Sequence, residues 1–204
     1  MSTLTQDLDY IKDLAERGET APLVGGRFAL WWGVLTAAML GLHWMALTGR
    51  TPFPIDAIGA FWIGYAIIGG IGTALLATLV KDPAGVSSVN NRLANMVWST
   101  IGVPIGLYTF GVFLGVAFGA APLAAFDSIL GVAFACYTIA FYAVGRFSRD
   151  RVMLGFAVIC AAATVISGLL IGQSVLYLAA AGFVLATAGV SGLYQMARAP
   201  RTTV

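Results

Sequence analysis

The chain has 204 residues, 59% of them hydrophobic and 10% charged, with a formal net charge of +2 and a mean hydropathy of +0.90. Water-soluble domains carry about 25% charged residues, so the composition excludes an ordinary soluble fold. It points instead to an all-α, polytopic membrane protein without a basic surface for nucleic acid.

Residues 1–26 are polar and read as a separate cytoplasmic element. Thr3 and Gln6 have capping-box spacing. Leu4, Leu8, Ile11 and Ala15 recur at helical intervals, and Gly18 is a natural stop. The opposite face carries Asp7, Asp9, Asp13 and Glu16 against Lys12 and Arg17. Helices that lie on anionic lipid are usually basic, so this acidic amphipathic helix is expected to dock against protein. That protein is either its own bundle or a cytoplasmic partner. The segment lacks the basic start, apolar run and small-residue cleavage site of a signal peptide, so no cleaved leader is expected.

Ala21-Pro22-Leu23-Val24-Gly25-Gly26 forms a turn. The six-span bundle is predicted over 27–197, followed by a tail at 198–204. A membrane helix needs about 20 mostly apolar residues, and six runs qualify, at about 28–48, 57–80, 93–118, 126–145, 152–171 and 175–197. Trp31, Trp32, Trp44 and Trp62 read as interfacial anchors. Of the eleven basic residues, all but Arg50 fall on one side when the spans alternate. By the positive-inside rule both termini are cytoplasmic. Short loops with this asymmetry suggest a bacterial inner membrane.

Small residues recur at helical spacing. Gly102 and Gly106, then Gly111, Gly115 and Gly119, then Gly168 and Gly172, are spaced for close helix packing. They predict a third span at the centre of the bundle or at a subunit contact, and hence a homo-oligomer or a membrane-protein partner in the bilayer. Pro104 lies between the first glycine pair and frees the carbonyl of Thr100. Asn95, Ser99, Thr100, Pro104 and Tyr108 thus form the candidate solute path, because broken spans expose backbone groups at depth.

Ionisable groups are scarce within the spans. His43, Asp56 and Asp127 all fall near the outer surface and form a candidate polar cluster at an outer mouth. The plainer reading makes the two acids helix caps. A faint repeat links them: Asp56-Ala57-Ile58 and Asp127-Ser128-Ile129 each follow a proline-containing loop and open a span. Cys136 and Cys160 lack neighbouring ligands, so no metal is expected. With no phosphate loop, no Ser-His-Asp set and a single histidine, neither a catalytic residue nor a cofactor is expected and the chain is read as non-enzymatic.

Six spans preceded by Ala21-Pro22-Leu23 resemble the acetate and succinate uptake family, which is similar in build to urea and amide channels. That family's signature, Asn-Pro-Ala-Pro-Leu-Gly, is kept here only in its central three residues. The resemblance implies a ring oligomer with a pore in each protomer. The start of the chain also resembles small bacterial membrane proteins. Two functions follow from the sequence: a channel or carrier for a small neutral or weakly acidic solute, or a structural or regulatory subunit docked through the N-terminal helix.

Overall fold

A computed structural model describes residues 22–79 and 88–199. The amphipathic segment read over residues 3–17 lies outside the described residues. Among the described residues there are no strands, and six helices are long and apolar enough to cross a membrane. They are α1 (Gly26–Leu47), α2 (Ile58–Leu79), α3 (Val89–Ala117), α4 (Ser128–Phe147), α5 (Arg151–Leu169) and α6 (Val175–Arg198). The chain is a multi-pass membrane protein.

The helix ends follow local chemistry. Ser88 caps α3 by accepting a hydrogen bond from the Asn91 N–H at 3.3 Å, so the helix starts before its apolar run. Asp150 caps α5 through Val152 N–H at 2.9 Å. Pro54 and Pro122, both extended, each start a 3-10 turn (Ile55–Ala57 and Leu123–Asp127) that leads into α2 and α4.

Helices α1, α4, α5 and α6 form the core, α2 attaches chiefly to α1, and α3 chiefly to α4. About half of α6 is buried within the chain, whereas α2 and α3 are almost wholly uncovered. The third span is therefore peripheral within the chain and not central. Two apolar clusters fill the core. Leu40, Phe134, Ala163, Ala180 and Val184 belong to the first. Phe141, Val144, Met153, Phe156 and Cys160 belong to the second, nearer the chain ends.

The close helix approaches use different glycines from those the spacing singled out. A Cβ on Gly26 would stand 2.6 Å from Gly192 O, and one on Gly33 would stand 2.6 Å from Gly189 N. These contacts bring α1 and α6 into backbone contact and put both ends of the bundle's chain at one end of the molecule. The π-helical stretch Leu185–Gly189 lies at the same seam. By contrast, Gly102, Gly106, Gly111 and Gly168 have nothing within 4 Å of a Cβ position. Gly115 meets only Ala121 Cβ, at 3.3 Å, and Gly119 and Gly172 serve turns, with φ of +70° and +81°. Small residues permit close approach only where a second helix is present, and among the described residues none packs closely on these positions.

The tryptophans also take internal roles. Trp31 Nε1 donates to Gly69 O at 3.3 Å, Trp32 Nε1 to Thr73 Oγ1 at 3.0 Å and Trp62 Nε1 to His43 Nδ1 at 3.2 Å. Together with the 2.8 Å bond between Thr36 Oγ1 and Tyr65 Oη, they tie α2 to α1. Trp44 lies under a cation, with the Arg50 guanidinium 4.4 Å from its ring centroid.

Candidate functional site

At the end of the bundle opposite the termini, the turn before α4 meets the turn before α6. Asp127 follows from the Pro122 turn and is 8% exposed. Its carboxylate does not cap α4. Oδ2 accepts the Gly172 N–H at 2.8 Å and Oδ1 accepts the Tyr177 hydroxyl at 2.6 Å. The positive φ of Gly172 belongs to the tight turn that brings its N–H to the carboxylate. Burying a carboxylate is costly unless it is hydrogen-bonded, and these two donors supply the compensation.

Tyr177 joins this acid to the lone histidine. Its ring centroid lies 3.8 Å from that of His43, while its hydroxyl holds Asp127. Because His43 Nδ1 accepts from Trp62, this nitrogen carries no proton in the observed arrangement. Three helices and one turn thus converge on a chain running Trp62, His43, Tyr177, Asp127. Asp56 does not join it: it is exposed in the Ile55–Ala57 turn, and among the described residues its carboxylate accepts no hydrogen bond.

Beside Asp127 lies a groove of about 200 Å³ lined by Tyr108, Ser128, Gly131, Thr164, Ser167 and Gly168, among others. Tyr108 Oη and Ser128 Oγ are 2.9 Å apart. The remaining members of the sequence-derived path are elsewhere. Asn95, Ser99, Thr100 and Pro104 are exposed on α3, facing away from the bundle. Ser99 and Thr100 both donate to Met96 O, at 3.0 and 2.7 Å, and not to the carbonyl that Pro104 frees. One member of each predicted set, Tyr108 and Asp127, therefore meets at the groove.

A second cavity, of about 230 Å³, opens at the end that holds the termini. Its lining includes Arg149, Asp150, Tyr194, Gln195 and Arg198. Tyr194 Oη donates to Asp150 Oδ2 at 2.9 Å, and Arg198 Nη1 reaches the same oxygen at 3.2 Å and also donates to Tyr194 Oη. Pro22 borders this cavity and is fixed by Asn91, whose Nδ2 donates to Pro22 O and whose Oδ1 accepts from Val24 N–H, both at 2.9 Å. Between the two ends, α6 buries Thr187, Ser191 and Gln195 on one face. A scan for charged groups passes over these residues; their spacing of four was the available signal. Thr187 and Ser191 donate to Phe183 O and Ala188 O of their own helix.

The fold defines a six-helix membrane protein with a cavity toward each end of a shared core. No known protein family, curated protein or solved structure matches the chain. The likeness to the acetate and succinate uptake proteins thus rests on Ala21-Pro22-Leu23 and the number of spans.

Proposed function

We propose that the protein moves a small solute across the membrane, with the groove beside Asp127 as its outer site and the cavity beside Asp150 as its inner one. One observation carries the reading. Two cavities lie toward opposite ends of one core, each lined by an aspartate bonded to a tyrosine of α6, and apolar residues that include Leu40, Phe134, Ala180 and Val184 fill the bundle's core. A buried or half-buried acid toward each end of an apolar core fits a carrier with its barrier closed. The π-helical stretch at Leu185–Gly189 interrupts α6 between the ends, and such segments recur at functional positions. The arginines Arg27, Arg92, Arg146, Arg149, Arg151 and Arg198 at the terminal end, against Arg50 at the other, support a cytoplasmic position for the termini.

The test is solute-driven swelling of liposomes that hold the purified full-length chain. Gly168→Leu places a side chain in the groove and is expected to stop the flux. Ser99→Leu, on the outward face of α3, is expected to leave it unchanged. Equal flux from Gly168→Leu and the parent chain would eliminate the groove as the route.

A second reading, a structural or regulatory subunit, draws on the sparse burial of α2 and α3 and on the uncovered glycines of α3. The mass and composition of the complex extracted gently from native membranes separates the two. A stoichiometric second protein favours the subunit. A particle made only of this chain favours the self-contained carrier.

A further inference from the structure

The proton inventory of the groove beside Asp127 specifies what it can bind. Ser128 Oγ donates to Ala125 O, so the 2.9 Å contact between Tyr108 and Ser128 is made with the tyrosine proton. Thr164 Oγ1 donates to Cys160 O at 3.0 Å. Of the lining hydroxyls, that of Ser167 alone has no acceptor for its proton among the described residues. The acceptor side is rich. The two oxygens of a carboxylate offer about four lone-pair sites, and Asp127 uses two of them, on Gly172 and Tyr177. Tyr108, Ser128 and Thr164 each keep acceptor capacity. No lysine, arginine or histidine lines the groove.

We infer that this groove binds a primary ammonium group. Such a group brings three N–H donors and a positive charge to the few acceptors beside a carboxylate, while the otherwise apolar lining, with Val132 and Ile171, suits a short alkyl chain. An anion would meet uncompensated acceptors and like charge, which gives selectivity by repulsion. Gly131 and Gly168 leave the space: among the described residues, a Cβ on Gly131 would come no nearer than 3.8 Å to a neighbouring helix, at Ser167 Cβ, and one on Gly168 would meet nothing within 4 Å. The cavity of about 200 Å³ has room for a headgroup or a short alkylammonium, since one water claims about 30 Å³ of liquid. The inference rests on reading the groove as a solute site and replaces the neutral or weakly acidic solute expected from the sequence with a cationic one.

The experiment is calorimetric titration of the full-length protein in nanodiscs of phosphatidylglycerol, which lacks an amine. Methylammonium chloride, acetamide and sodium acetate are the probes. Saturable binding of methylammonium and none of acetate is expected. Asp127→Asn is expected to weaken methylammonium binding by about tenfold or more. Because Asp127 is buried and its variant can misfold, Gly168→Leu provides a second check at a site with free space, and it should abolish binding while the thermal transition is kept. Absence of methylammonium binding, acetate binding of equal strength, or full binding in Gly168→Leu would overturn the inference.

Repeating the titration with phosphatidylethanolamine in the nanodisc separates two sources of the same chemistry. Weakened methylammonium binding there assigns the site to the lipid headgroup, and unchanged binding assigns it to a free solute; each supports the ammonium site. Binding without flux of labelled methylammonium in acidic buffer removes the transport reading and leaves this one standing. Swelling driven by a neutral solute, with no methylammonium binding, does the reverse.

Discussion

A glycine's meaning in this chain depends on what stands beside it. A Cβ at Gly192 would lie 2.5 Å from Leu30 N and 2.7 Å from Gly26 O, both backbone atoms that cannot move aside without separating α1 from α6. Gly102, also helical, has open space around it. The same substitution should therefore act in opposite directions. Gly192→Ala is expected to destabilise by about 1–3 kcal/mol through overpacking. Gly102→Ala is expected to be neutral or to stabilise by up to about 1 kcal/mol, because alanine costs less backbone entropy in a helix. Thermal unfolding of the two variants in the same detergent checks this. A lower transition for Gly102→Ala than for Gly192→Ala would contradict the α1–α6 seam. Asn91 makes a similar point for polar groups: its side-chain amide completes hydrogen bonds for Pro22 and Val24 and anchors the linker to α3.

Among the elements, α2 is held mainly by polar ties in an apolar medium. Lipid is as apolar as the outward leucines and isoleucines of α2, so packing against α1 gains little hydrophobic energy and interhelical hydrogen bonds carry more of the association. Each such bond is worth about 0.6 kcal/mol, with a maximum of about 1.7. Trp32→Phe removes the 3.0 Å bond to Thr73, and Tyr65→Phe removes the 2.8 Å bond to Thr36. Each is expected to lower stability by about that much. Because Trp32 and Tyr65 also touch edge to face, with centroids 5.6 Å apart, the double variant should deviate from simple additivity. Unfolding of the two singles and the double in detergent measures the coupling, and two silent single variants would show that α2 is held by packing alone.

For the whole molecule, the arrangement of chain ends and arginines predicts one orientation. Thr51 lies in the loop after α1, on the end opposite the termini, and Arg92 lies near the start of α3, at the terminal end. A cysteine at Thr51→Cys should react with an impermeant maleimide on intact cells, and one at Arg92→Cys only after the membrane is opened. The native Cys136 and Cys160 fall within α4 and α5, one half-buried and one buried, which limits background. Labelling of Arg92→Cys on intact cells would reverse the proposed orientation.

The sequence by itself determined the class, the six spans and the strong charge asymmetry, because hydropathy and loop arginines act through the bilayer and need no knowledge of neighbours. It also carried the local repeat: Pro54 and Pro122 each open a 3-10 turn that ends in a span, since proline's fixed φ and missing N–H act on the adjacent backbone. What became of the two acids in that repeat was decided only by tertiary structure. Asp56 stays exposed, whereas Asp127 is buried under Gly172 and Tyr177, residues 45 and 50 positions further along the chain. The same holds for the glycines and for α3. Spacing identified smooth helix faces, but a smooth face becomes a contact only when another helix lies against it. That depends on which of several apolar, nearly equivalent helices pack together, a choice made by side-chain fit and a few buried hydrogen bonds and not by hydropathy.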